Sequence, residues 1–294
     1  MSARPLGGVL AVGGIAVRLA SGAWRLLRRA LRGAARLFPG RRARKRLWKG
    51  FMRLPSGVQV AAGLAVAVGV FIPVNWLYQV VRKPSELLFP VSDAFYKTPA
   101  ETWAAYSRWF ERHSTAVMTP ELLAALAQVE GSGNPVVRTY WRFRLGVEPF
   151  EIYRPASSAV GMYQITDGTF SEARRYCIHD HEVVEDGPWH DFDSCWFNAL
   201  YNRLVPSHAI EMTSAYLDRS VSETLARAGI RNATLEQKQR LAAIIHLCGR
   251  GAGLRFARRG LEPAPGQRCG DHDVASYLRK VERMKTVFAR LAAK

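Results

Sequence analysis

One carboxylate in this chain stands where burial would tune it for chemistry. Glu130 closes the stretch ALAQVE, residues 125–130, and only Gln128 interrupts the apolar run before it. The turn residues Gly131-Ser132-Gly133-Asn134-Pro135 follow at once. A carboxyl group donates a proton near neutral pH only where apolar surroundings raise its pKa. A glutamate at the closed end of an apolar helix fits that role. It would serve as a general acid that protonates a leaving oxygen, as cleavage of a glycosidic bond requires. A glutamate on a helix that simply runs out into solvent has the same local sequence. Further on lies Ser158-Ala159-Val160-Gly161-Met162-Tyr163-Gln164. Gly161 permits the close backbone approach that a groove wall needs. Met162, Tyr163 and Gln164 combine apolar bodies with hydrogen-bonding tips. A core strand leading to a helix cap at Thr166 or Asp167 accounts for these residues equally well.

Taken together the two stretches are more specific. Glu130 with Asn134-Pro135, then Ser158 to Gln164, then the later small-residue run Gly249-Arg250-Gly251-Ala252-Gly253, resemble the soluble lytic transglycosylases of the lysozyme-like superfamily. That family carries Glu-Ser-x-x-Asn-Pro, then Gly-Leu-Met-Gln, then Ala-Tyr-Asn-x-Gly. The resemblance covers about residues 115–260. It implies a helical domain acting on peptidoglycan glycan strands, with Glu130 as the catalytic acid and no metal or cofactor. It places Ser158, Gly161, Met162, Tyr163 and Gln164 against substrate, with His246 at the third motif; Tyr153, in the insert that departs from the family, is a further candidate contact. Three departures stand out. Gly131 replaces the family's Ser, His246-Leu247 replaces its Tyr-Asn, and the insert between Pro135 and Ser157 is long and holds Trp141, Phe143 and Tyr153. The aromatic rings of that insert either extend the groove by stacking on sugars or pack on the core.

The elements that must position these residues are mainly helical. Thr119-Pro120 is a helix start, with a capping Thr and Pro at the first position. Helical patterns cover 101–113, 120–130, 167–177, 195–204, 207–219, 220–229, 234–247 and 271–292. Alternating strand patterns are confined to EIYR at 151–154 and VGMYQI at 160–165. The expected fold class is mainly α: a lysozyme-like helical domain over 100–294, with at most a small β-hairpin, preceded by one transmembrane helix.

Charge and hydropathy organise the rest of the chain. Residues 1–53 hold fourteen Arg or Lys and no Asp or Glu, which leaves 28 basic against 24 acidic residues beyond them. Most of the net charge of +18 therefore belongs to the arm, with about +4 left beyond it, and no nucleic-acid partner is expected for the main domain. Val17, Ala20, Trp24, Leu27, Leu31 and Phe38 fall at helical spacing among arginines. That reads as a basic amphipathic helix for anionic inner-membrane lipids, or as a disordered basic arm. From Leu54 to Val81 there is no charged residue, a length that suits a bilayer core. Arg and Lys crowded on its N-terminal side place that side in the cytoplasm and the catalytic domain in the periplasm. A cleaved signal peptide and a mitochondrial presequence are the rival readings of this region. Residues 82–99, with three prolines, read as a linker.

Four cysteines, Cys177, Cys195, Cys248 and Cys269, all follow the span, and none forms a CxxC. An even count in an exported domain favours disulfides over free thiols. Three pairings are open, of which the sequential one closes two loops of about twenty residues, each stabilising by roughly 3 kcal/mol. Two readings compete with the lyase: a peptidoglycan hydrolase of goose-lysozyme type, and a weakly active peptidoglycan-binding subunit of a wall-spanning secretion or conjugation apparatus.

Overall fold

A computed structural model describes residues 40–294 apart from 145, 147, 189 and 192. The amphipathic helix expected at 17–38 lies outside the described residues. The chain divides into two units between Pro73 and Val74. The first holds α1 (Arg41–Phe51) and the start of α2 (Ser56–Arg82). α1 carries five basic residues besides its N-terminal Arg41, and it leaves Leu47 and Trp48 exposed. α2 runs for 27 residues with mean hydropathy 2.1 over its most apolar 18-residue stretch. At 1.5 Å per residue it is about 40 Å long, more than a hydrocarbon core of about 30 Å. It is therefore long and apolar enough to cross a membrane.

The second unit is mostly helical. Pro84–Phe95 winds as 3-10 turns, followed by α3 (Pro99–Arg112) and α4 (Pro120–Gly131). Beyond a hairpin of β1 (Trp141–Phe143) and β2 (Tyr153–Pro155) come α5 (Asp167–Ala173) and a second hairpin, β3 (Tyr176–His179) with β4 (Glu182–Glu185). A 3-10 turn at Trp196–Leu200 leads to α6 (Pro206–Ala228) and α7 (Leu235–Arg258). A last hairpin of β5 (Arg268–Cys269) and β6 (His272–Asp273) opens into α8 (Val274–Ala292).

α4 is the centre. Leu122, Leu123, Ala124, Ala125, Leu126 and Ala127 have no exposed surface, so the helix is enclosed on every side. α3 and α8 pack on it, and α6 pairs with α7. Each buried leucine contributes about 1.5–3 kcal/mol. The Thr119 hydroxyl caps the start by accepting from Leu122 N–H. At the other end Ser132 turns left-handed at φ 48°, and Ser132 and Gly133 N–H groups close back on the Gln128 and Ala127 carbonyls. Gly133, at φ +63°, is required there, because a Cβ would collide with the Thr102 hydroxyl. Asn134 is fully buried, accepting from Val136 N–H and donating to the Ser92 carbonyl at 2.8 Å.

Several local expectations change. Three hairpins stand where at most one is expected. The β3–β4 turn carries Asp180 and His181 at positive φ with no glycine, so its sequence gives little signal. EIYR does contribute β2, but VGMYQI is a turn, closed by a Val160–Ile165 bridge with Gly161 at φ +78° and Gln164 at φ +49°. The segments at 207–219 and 220–229 are one helix, α6. α7 runs past 247 through a non-helical Gly249. Within 82–99, Ser85, Glu86 and Ser92 are buried, and Glu86 accepts from the Trp141 indole at 2.9 Å.

The cysteines are paired as Cys177–Cys195 and Cys248–Cys269. The first ties β3 to the loop before the 3-10 turn at 196–200. The second ties the kink of α7 to the β5–β6 hairpin.

A second buried carboxylate, Glu211 on α6, accepts from the Tyr201 hydroxyl at 2.6 Å and from Ile178 N–H at 3.1 Å. His113 Nδ1 lies 3.6 Å from it. Burial holds the His113 pKa below its usual 6.5, outweighing the nearby Glu211. Burial also lowers His208, whose ring stacks on Tyr201. A histidine with a depressed folded pKa leaves the native state fully stable above its unfolded value and costs stability as pH falls through the folded one. The melting temperature of the full chain in detergent should therefore fall as pH drops from 7.5 to 5. His113→Gln should show a shallower fall, with His208 supplying the remainder. Thermal melts across that range check both.

Candidate active site

Glu130 sits one residue before the C-terminus of α4, with 17 % of its side chain exposed. Its surroundings come from three other places in the chain. Tyr277, in the first turn of α8, donates its hydroxyl to Glu130 Oε1 at 2.5 Å. His246 Nε2, on α7, lies 3.6 Å from the same oxygen. Gln164, at the end of the 160–165 turn, lines the space in front of them. That space is an open cleft of about 980 Å³. Thr139, Thr166, Asp271 and Lys280 are among the polar residues on its walls. A side pocket of about 230 Å³ shares Gln164, Thr166, His246 and Leu247 and runs towards Thr213 and Tyr216.

Tyr277 is positioned by cap chemistry and a covalent tie. Asp273 Oδ1 accepts from Ser276 N–H at 2.7 Å and starts α8. Four residues later, about one turn in, Tyr277 is buried and aimed at the end of α4. The Cys248–Cys269 bridge holds the β5–β6 hairpin, and hence the start of α8, against α7 beside His246. Burial, reinforced by the Glu130 carboxylate, pushes the Tyr277 hydroxyl pKa well above 10, so it remains a proton donor in this bond at ordinary pH. Tyr277 lies in a helix with the sequence VASYLRKV and is not among the site residues expected from the sequence. Asp273 marks the start of that helix in the sequence, but not what the tyrosine meets.

The structure distributes the expected contact residues unequally. Gln164 and His246 line the Glu130 cleft. Met162 and Tyr163 have no exposed surface. They are core residues, and the Tyr163 hydroxyl donates to the Leu123 carbonyl at 3.1 Å. Gly161 does permit close approach, but by backbone: a Cβ would strike the Arg203 carbonyl oxygen. Ser158 faces elsewhere, its hydroxyl accepting from Asp167 N–H and its carbonyl accepting from Arg203. Tyr153 packs among Trp141 and Phe143, with ring centroids at 5.1 and 4.5 Å, and is absent from the cleft lining.

The departure at Gly131 has a steric cause. A Cβ there would lie 2.8 Å from the Met162 carbonyl oxygen and 2.9 Å from its Cα. The end of α4 and the 160–165 turn are in backbone contact, which leaves no room for a serine. Of the other acids that could supply a second carboxylate, Glu151 is paired with Arg82 and Arg154, Glu172 with Arg250, and Asp167 with Arg203. None of these, nor Glu148, lines the cleft; among the described residues Asp271 and Asp273 are the carboxylates that join Glu130 there. Among the described residues, no group of three or more His, Cys, Asp or Glu is placed to hold a metal ion.

Comparison with protein-family models, with curated proteins and with solved structures finds no match for this chain.

Two substitutions test this geometry. A hydrogen bond to a charged group is worth about 1.5–3 kcal/mol, so Tyr277→Phe should slow any Glu130-dependent reaction by about 10–100-fold. Gly131→Ser should destabilise the chain by about 1–3 kcal/mol through overpacking, read as a lower melting temperature.

Proposed function

We propose that this chain is a membrane-anchored lytic transglycosylase that cleaves the MurNAc–GlcNAc bond of peptidoglycan and leaves 1,6-anhydro-MurNAc ends. The observation that carries the reading is the partnering of Glu130 by Tyr277 and His246 on the wall of an open cleft. Most glycosidases use two carboxylates about 5–10 Å apart. Here one carboxylate does both proton transfers. Glu130 protonates the glycosidic oxygen, and the C1–O bond breaks. The N-acetyl group of the substrate stabilises the cation that develops at C1. Glu130, now a carboxylate, takes the proton of the C6 hydroxyl as O6 closes on C1, and no water is consumed. Tyr277 keeps the carboxyl oriented through both steps.

The resemblance assigns a tyrosine of its third motif to holding the catalytic region, and His246 stands in that place here. Tyr277 supplies a hydroxyl to Glu130 from a different helix. This supports an active enzyme over a binding subunit. α2 would be a single-pass anchor in the inner membrane, with the basic arm towards anionic lipid in the cytoplasm and the second unit in the periplasm. The paired cysteines suit that oxidising compartment.

The test uses the full chain in detergent with purified sacculi, and mass spectrometry of the soluble products. Wild type should release anhydro-muropeptides, and Glu130→Gln should lose at least about 100-fold of the rate, as expected for loss of a general acid. Reducing-end products would overturn the lyase in favour of a hydrolase, with Asp271 the first residue to substitute. Near-normal turnover by Glu130→Gln would overturn the mechanism.

A further inference from the structure

Within the insert at 138–156, Arg138, Tyr140 and Arg142 line the Glu130 cleft, while Phe143, Phe150, Tyr153 and Arg154 do not and are left without a role. The insert interleaves aromatic residues with arginines: Tyr140, Trp141, Phe143, Phe150 and Tyr153 with Arg138, Arg142, Arg144 and Arg154. Tyr140 and Phe143 are 65 % and 77 % exposed. Together with Arg82, Lys83 and Glu86, the stretch holds six cations against three carboxylates.

The structure shows what this hairpin lies beside. Asn75 Nδ2 donates to the Tyr153 carbonyl and Gln79 Nε2 to the Phe150 carbonyl, each at 2.7 Å. The Tyr78 and Phe150 rings stack at 4.9 Å, and Arg82 pairs with Glu151. All four helix residues belong to the last two turns of α2. Asn75 is seven residues from its end, about 10 Å back along the axis. The backbone around β2 therefore runs alongside the end of the apolar helix rather than beyond it. If α2 crosses a bilayer, the hairpin stands at the depth of the headgroups. Exposed aromatic rings with arginines are the composition of that layer.

The charges show which headgroups suit it. Arg142 and Arg154 face each other across the strands, a like-charge pairing that disfavours the sheet unless an anion offsets it. Glu151 is shared between Arg82 and Arg154 and so offsets only one positive charge. Arg82, Lys83, Arg154 and Arg203 line a depression of about 500 Å³ that is open to solvent, with Glu151 and Asp167 as the carboxylates on its walls, so cations outnumber anions there. It adjoins the Glu130 cleft at Ala156 and Ser157 but is not lined by Glu130, His246 or Tyr277.

We propose that β1, β2 and the turn at Pro149–Glu151 form a membrane-interface element. Phe143 enters the headgroup layer, and the Arg82–Arg154 depression takes the phosphate of an anionic phospholipid. This rests on α2 crossing a membrane and is independent of the chemistry at Glu130.

The test uses the full chain in nanodiscs with an environment-sensitive dye on Phe143→Cys. The native cysteines are all in disulfides, so the dye reacts at that position alone. Discs of phosphatidylcholine are compared with discs that also contain phosphatidylglycerol. The expected result is blue-shifted emission, shielded from an aqueous quencher, in the phosphatidylglycerol discs only. Arg82→Gln and Arg154→Gln should each weaken that docking by about fivefold. The comparison of lipids needs no charge variant and stands even if those variants fold poorly. Water-like emission in both discs, or an equal shift in both, would overturn the proposal. Loss of the shift on adding soluble glycerol phosphate would reassign the depression to a free phosphate. A shift produced in phosphatidylcholine discs by chitin oligosaccharides would reassign the hairpin to glycan. Each reassignment overturns the lipid proposal and leaves the Glu130 assay unaffected.

Discussion

A helix enclosed on every side that ends in a carboxyl group needs protein partners on the covered side of that group, because solvent reaches Glu130 only from the cleft. α4 imposes that condition at Glu130, and much of the second unit answers it. Tyr277 provides the hydrogen bond, so α8 must begin beside the end of α4. Asp273 fixes where α8 begins, and Cys248–Cys269 fixes the hairpin that delivers it. The kink at Gly249 lets α7 bring His246 to the same oxygen before the helix continues. The opposite side of the turn after Glu130 is held by Asn134 on the 3-10 segment. The cleft is thus what remains when four stretches distant in sequence converge on one side chain.

The sequence discloses this arrangement in proportion to how local each feature is. The start of α4 at Thr119, the apolar α2 and the even number of cysteines depend on residues close together, and they read directly. The 160–165 turn does not, because Met162, Tyr163 and Ile165 have the composition of a strand while Gly161 and Gln164 adopt backbone angles that no strand allows. The Asp180-His181 turn is hidden because neither residue is a glycine. The tyrosine at Glu130 is the most distant case. Its position depends on where α8 docks, 147 residues away, and nothing near Tyr277 encodes that partner. The resemblance puts the supporting group in its third motif, where this chain has His246. The structure supplies the support from elsewhere.

The two motifs that carry the resemblance also change meaning when placed in three dimensions. Met162 and Tyr163 look like groove residues in the sequence, yet they build the floor on which the groove rests. Of Met162, Tyr163 and Gln164 only Gln164, with its left-handed backbone, reaches the cleft, and Ala159 joins it there. The stretch therefore acts mainly as a wedge against α4 and presents Ala159 and Gln164 to whatever occupies the space.

The contact between Gly131 and the Met162 backbone has a consequence for inheritance. Neither position can drift alone: a side chain after Glu130 requires the 160–165 turn to retreat, and a retreating turn leaves a void behind Gly131. The pair would have to be exchanged together, as one unit spanning some thirty residues of sequence. Kin of this chain are thus better sought by a glycine after the acid paired with a tight turn than by either motif separately.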